Sequence, residues 1–107
     1  MKISQYDIVL VNLDSTIGSE IRKTRPCVVI SPDEINHNLS TIVIAPMTST
    51  SRNYPTRVKV RHNNKDGFVV IDQVRTIDKK RIIKRFDTLH PVEIKKVKAI
   101  IKETFVD

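Results

Sequence analysis

Apolar and polar positions alternate along this chain in short blocks, most of them the length of a strand. From Tyr6 to Leu13 both alternating faces are apolar, as in a strand covered on both sides. Arg25-Pro26 opens a second apolar run, Cys27 to Ser31, with the proline at the strand's first residue, where no ladder bond is lost. Pro32 to Asn36 reads as a turn or a short helix that does not propagate. Ser40 to Ala45 is a third strand, stopped by Pro46. In the fourth the alternation is clean: Arg57, Lys59 and Arg61 point one way, Val58 and Val60 the other. Asn63 to Gly67 follows as a hairpin turn, with Asp66-Gly67 supplying the positive φ. Phe68 to Ile71 is a fifth, buried strand that continues through Asp72 to Asp78. Ile82-Ile83, bracketed by Lys79-Lys80-Arg81 and Lys84-Arg85, belongs to a short strand ending near Leu89.

The period then changes. Val92, Ile94, Val97, Ile101 and Phe105 recur at near-helical spacing, while Lys95, Lys96, Lys98 and Lys102 fall mostly on other faces. His90-Pro91 is a helix start signal, so a terminal helix of about 14 residues is expected to pack on the sheet. Short strands closed by one helix predict a mainly β fold: a small, strongly curved antiparallel sheet or partly open barrel. No repeat, linker or second composition interrupts the 107 residues, so one domain spanning 1–107 is expected. Sheet edges and apolar surface on so small a unit are compatible with a homodimer.

Composition narrows the setting. With only two glycines, sharp turns must be made by Asn, Asp and Pro. The single Cys27 lies inside an apolar run, as expected of a buried, reduced thiol in the cytoplasm; alone it builds neither an intrachain disulfide nor a cysteine-based zinc site. No secretory signal pattern and no apolar run near 18 residues are present, so neither export nor a membrane span is expected. Nineteen Lys and Arg against twelve Asp and Glu give a net charge of +7. That balance favours an anionic partner: nucleic acid first, an acidic protein segment second, a membrane surface third. Between Ile35 and Lys65 there is no Asp or Glu, so the cationic face of Arg57, Lys59 and Arg61 is expected to lack local neutralisation. Such a face is either solvated or a surface for phosphates.

The chemistry-bearing residues exclude more than they specify. His37, His62 and His90 are far apart, and none pairs with a Cys or an acid at ligand spacing, so no metal is expected. There is no Gly-rich phosphate loop, no nucleophile elbow and no sign of a cofactor. Two polar stretches remain. Gly18 to Pro26 lies between the first two apolar runs and holds Glu20 and Arg25 five positions apart; it is either a solvated connection or a loop whose anchored ends aim its side chains. Met47 to Pro55 is rich in hydroxyls and includes Thr48 and Ser49. Acid–base chemistry with Arg, Glu, Asp and a hydroxyl, without a metal, suits RNA cleavage, in which the substrate's own 2′-hydroxyl attacks the adjacent phosphorus. Glu20 is then the candidate base, Arg25 the cation on the phosphorane oxygens, and Thr48 a ligand of the phosphate or of the leaving oxygen.

These residues resemble a known family. Gly18-Ser19-Glu20, then Arg25-Pro26, then Pro46-x-Thr48, then Asp72-Gln73-x-Arg75-Thr76-Ile77-Asp78 with Arg81, are similar in order and spacing to the MazF/PemK/Kid toxins across nearly the whole chain. The resemblance implies a small SH3-like antiparallel barrel of the MazF/Kid/CcdB type, a homodimer, and metal-independent endoribonuclease activity. The substrate would be single-stranded RNA, cut at short motifs to leave a 2′,3′-cyclic phosphate, and the partner a cognate antitoxin with an acidic tail. By position, Arg25 and Thr48 match the family's catalytic arginine and threonine. Glu20 matches a glutamate taken as the base in some members, Asp72 an aspartate taken as the base in others. Where some members carry a histidine before the glutamate this chain has Ser19, and where they carry an arginine two residues before the aspartate it has Val70, which favours Glu20 here.

Ser49, Arg57, Lys59, Asp72, Gln73 and Arg75 are the candidate substrate ligands. For several of them a structural role stands beside the functional one. Gln73 is a backbone-bonding amide or a base reader; Arg75 and Arg81 make fold, dimer or RNA contacts; Asp72 and Asp78 are also suited to turns and ion pairs at strand ends. The Lys79–Arg85 cluster reads as a solvated face. The alternatives in function are a non-enzymatic toxin of the CcdB type that binds gyrase, and an RNA-binding regulator without activity.

Overall fold

The computed structural model describes residues 2–13, 24–49 and 54–106. Seven strands are present among them: β1 (Asp7–Asn12), β2 (Thr24–Val29), β3 (Thr41–Thr48), β4 (Arg57–His62), β5 (Lys65–Val70), β6 (Arg75–Asp78) and β7 (Ile82–Thr88). A single helical turn, α1 (Asp33–Asn36), precedes β3, and α2 (Pro91–Ile101) closes the chain, running on into one π-helical turn over Lys102–Val106. All pairings are antiparallel, in the order β4-β5-β3-β2-β1-β7, with β6 also on β3. The sheet curls into a half-barrel with α2 against it, the mainly β architecture expected. Curvature has a visible source at β7, whose register on β1 shifts twice, between Ile8 and Val9 and between Leu10 and Val11. Each extra residue bends the strand and adds twist.

The curled sheet has apolar material on both faces. Ile8, Val28, Ala45, Val58, Val60, Val69 and Ile71 join Val97 of α2 in one core; Val9, Val11, Cys27, Val29, Ile42, Ile44 and Ile77 form the other. Alternate residues of β1 and β2 therefore enter different cores, which is why the first run is apolar on both of its faces. In α2, Val97 is buried and Ile94, Ile100 and Ile101 are partly so, whereas Val92 and Phe105 of the expected stripe remain exposed. Glu93 secures the start of α2, accepting from the His90 N–H at 3.0 Å and from the outward N–H of Arg61, on edge strand β4, at 2.8 Å.

Several boundaries differ from the sequence expectation, each for a backbone reason. β1 begins at Asp7, because Tyr6 has a left-handed backbone (φ 69°), its N–H donating to Val29 O at 2.7 Å and its carbonyl accepting from Leu89 N at 3.1 Å. The hairpin turn is Asn63-Asn64, with φ of 52° and 60°, and not Asp66-Gly67. Asn tolerates this region, and two consecutive positive φ values make the two-residue turn whose twist matches the strands. Gly67 lies within β5, opposite Val60. β2 starts at Thr24 and contains Pro26, and β3 runs through Pro46 to Thr48.

The prolines are tolerated inside strands because of where their missing N–H groups point. Val43 turns both its N–H and its carbonyl toward the β2 side, to Ser31 Oγ and Ile30 N. Alternation then aims Pro46 at the opposite edge, in the gap between the last β6 pair (Ile44 with Arg75) and the first β5 pair (Met47 with Val69). Pro26 faces β3. The β2–β3 ladder runs through Val28–Ala45 and Cys27–Pro46 and stops there, since the next bonded pair would need a donor from Pro26. Beyond that point β3 continues only on β5, and the sheet opens.

Candidate active site

The opening below Pro26 is where the predicted residues meet. Arg25 approaches it from β2, half-buried and fixed in register opposite Val11; Thr48, the last residue of β3, approaches from the other side, in register with Phe68. Both line two adjoining cavities. The smaller, about 360 Å³, adds Arg57, Gln73 and Arg75 to them. Three guanidinium groups thus surround one space with a threonine hydroxyl, and among the described residues no carboxylate lines it. Such a cavity attracts an anion with delocalised charge, and planar guanidinium forks match phosphate oxygens. The larger, about 560 Å³, runs from Arg25, Thr48 and Ser49 toward the β4–β5 turn.

Arg57 is suited to such a contact. Its guanidinium carbon lies 5.2 Å from the ring centroid of Tyr54, and its buried Nε has no hydrogen-bond partner among the described residues. A buried donor without a partner is costly to a fold, so an arriving acceptor gains from satisfying it.

The other candidates stand elsewhere. Lys59 and Asp72 line neither cavity. Asp72 is exposed and accepts a hydrogen bond from Thr56 Oγ1 at 2.8 Å. Lys59 and Arg61 do point outward as expected, but their charge is locally met: Asp66, across the hairpin, lies 3.5 Å from Lys59 Nζ and 3.4 Å from Arg61 Nη1. The acid that neutralises this face comes one residue beyond the acid-free segment, brought back by the Asn63-Asn64 turn. Glu20 lies outside the described residues, as do Gly18 and Ser19. Cys27, beside the site in sequence, is a core thiol. Burial pushes it up to about 12 against the opposing pull of Arg25 and Arg75, so it is no nucleophile at neutral pH. Among the described residues no three His, Cys, Asp or Glu side chains gather to hold a metal ion, and no helix is long and apolar enough to cross a membrane.

Two parts of the site were not found by sequence reasoning. One is the pair of prolines that ends the β2–β3 ladder; the signal was Pro26 and Pro46 flanking two apolar runs, read only as strand start and stop. The other is the β4–β5 turn as a cavity wall, which becomes visible only once β5 is known to pair with the end of β3.

With this geometry in hand, comparison with known proteins is direct. The family model described as PemK-like, MazF-like toxin of type II toxin-antitoxin system matches residues 4–105. The endoribonuclease toxin MazF of Escherichia coli (strain K12) is 34% identical over 96 residues, 89% of this chain and 86% of that protein. Among solved structures, the MazE-MazF complex (Form-II) from Deinococcus radiodurans superposes with a TM-score of 0.83 at 23% identity, covering 96% of this chain and 95% of that one. An endoribonuclease in complex with its cognate antitoxin, from a mycobacterial species, gives 0.83 at 17% identity, covering 97% and 95%. The match to the family model over nearly the full length, together with the MazF relative, shows that this chain belongs to the PemK/MazF family of toxins of type II toxin–antitoxin systems.

Proposed function

We infer that the protein is an endoribonuclease toxin that cuts single-stranded RNA without a metal ion and is neutralised by a cognate antitoxin with an acidic tail. It acts in the cytoplasm, as a homodimer. The observation that carries this reading is the convergence of Arg25 and Thr48 on one cavity that also holds Arg57 and Arg75 and no described carboxylate. RNA phosphates and an antitoxin's carboxylates would compete for the same guanidinium groups, which fits a partner that inhibits by occupation. The endoribonuclease and antitoxin-bound relatives support both halves of the reading. No observation favours the gyrase-binding or inactive-regulator alternatives, neither of which needs an arginine and a threonine together at a cleft.

In the reaction the 2′-oxygen forms a bond to the adjacent phosphorus as its proton passes to a base. The bond from phosphorus to the 5′-oxygen then breaks, and that oxygen leaves protonated, giving a 2′,3′-cyclic phosphate and a 5′-hydroxyl. Arg25 holds the two non-bridging oxygens as charge builds on them. The Thr48 hydroxyl donates to the phosphoryl group or steadies the leaving oxygen. Glu20 is the base; Asp72, bonded to Thr56 and outside both cavities, is less suited to it. Arg57, Arg75, Gln73 and Ser49 hold neighbouring parts of the substrate. Lys59, which faces Asp66, contributes at longer range.

The test is a substrate with one atom removed. An RNA carrying a single 2′-deoxy nucleotide on the 5′ side of the cleaved bond should bind as its parent does and remain uncut, while the parent yields cyclic-phosphate ends. Cleavage of the deoxy substrate, or products with 3′-hydroxyl ends, would refute attack by the 2′-oxygen.

A further inference from the structure

The larger cavity has a wall that the cleavage chemistry does not use. It is formed by the β4–β5 turn region, where His62, Asn63, Lys65 and Asp66 face the space shared with Arg25 and Thr48. Asp66 is the one carboxylate that lines either cavity among the described residues. Beside an anionic backbone a carboxylate is repulsive, so what Asp66 can offer a ligand, beyond its ion pairs with Lys59 and Arg61, is contact with a donor and not with phosphate. A carboxylate accepts hydrogen bonds and donates none. Lys59 and Arg61 steady Asp66 at 3.5 and 3.4 Å, distances long enough that both oxygens keep capacity to accept.

The same wall also contains a polar atom without a partner. The ring of His62 stands edge-on to Phe86, with centroids 4.7 Å apart, and its buried Nε2 has no hydrogen bond among the described residues. Between this wall and Thr48 the lining is apolar, with Pro26 and the buried Met47 side chain. An apolar patch beside a carboxylate acceptor suits a planar ring with a polar edge.

We propose that this cavity is a nucleobase subsite, in which Asp66 accepts a hydrogen bond from the exocyclic amine of a base next to the cleaved bond. The proposal rests on the endoribonuclease reading and deepens it by naming what the site selects. Guanine, cytosine and adenine carry such an amine. Uracil presents carbonyl oxygens there, which meet the carboxylate's lone pairs without a proton between them. Pro26 and Met47 take the face of the ring, and His62 and Asn63 lie within the wall that its remaining edge atoms meet.

The experiment maps cleavage sites of the full-length protein in a randomised single-stranded RNA, for wild type, Asp66→Asn and Asp66→Glu. Wild type should disfavour uracil at one position flanking the cut by about tenfold, the loss expected of one good base contact. Asp66→Asn, whose amide both donates and accepts, should relax that discrimination, and Asp66→Glu should restore most of it. A second arm uses wild type alone, so it does not depend on how a variant folds. At the selected position, guanine is replaced by hypoxanthine, cytosine by 2-pyrimidinone or adenine by purine, each lacking only the amine. A loss of about tenfold for one of these identifies the base. Unchanged base preference in Asp66→Asn, or full cleavage of every amine-less substrate, overturns the subsite while leaving the endoribonuclease reading intact. No cleavage of any RNA by wild type would instead remove that reading itself.

Discussion

Asp7 is buried, yet each of its oxygens is bonded: Oδ2 accepts from Arg85 Nε at 2.9 Å and from the Ser4 N–H at 2.8 Å, and Oδ1 from Thr88 Oγ1 at 2.7 Å. Burial alone would raise this carboxyl, but Arg85, the Ser4 N–H and Thr88 together hold it below the usual carboxylate range. A depressed value in the folded state contributes stability that is present above the unfolded value, near pH 4, and is lost as the pH falls through the folded one. Asp7→Asn should therefore cost about 1.5–3 kcal/mol at neutral pH, the worth of hydrogen bonds to a charged group. Wild type and variant should converge in acid. Urea unfolding at neutral and at strongly acidic pH checks this; an equal gap at both would mean that the carboxylate's charge is not what stabilises. The contacts with Arg85 and Thr88 were not legible in the sequence, because those residues lie 78 and 81 positions from Asp7 and nothing local marks them as partners.

At the scale of elements, the site is made by where a ladder stops. Pro26 faces β3 without a donor, and the two strands that carry Arg25 and Thr48 part at that point. Pro26→Ala supplies the missing N–H opposite Met47. The ladder should lengthen by one bonded pair, the new amide at position 26 should be protected from hydrogen exchange, and cleavage should fall as the opening narrows. A rapidly exchanging amide at 26, or undiminished cleavage, would show that the opening does not depend on the proline. Sequence patterning located most strands and the closing helix because apolar periodicity is local information. It missed the extents of β2 and β3, since the rule that proline ends or begins a strand holds only when the ring faces a paired neighbour. It also located the hairpin but not its turn: Asp-Gly is the stronger local signal, whereas the register of β5 against β4 requires Asn63-Asn64.

For the whole molecule, the net charge of +7 pointed to an anionic partner without saying where it would sit. Folding answers by sorting the cations. Lys59 and Arg61 are met by Asp66, and Arg85 by Asp7, while Arg25, Arg57 and Arg75, from three different strands, share one cavity. That sorting is invisible in composition, which counts charges and not neighbours. The family resemblance made Arg25 and Thr48 legible at the outset; the fold brings those two to one cavity. In the proposed reaction Arg25 stabilises the charge that builds on the phosphate during RNA cleavage. The most direct test is the single-turnover rate on a saturating single-stranded RNA in EDTA, for wild type and Arg25→Ala. Wild type should cut, and the variant should cut about 10²–10³-fold more slowly, the usual loss of one such charge-stabilising contact. Cleavage by Arg25→Ala at the wild-type rate would contradict the account.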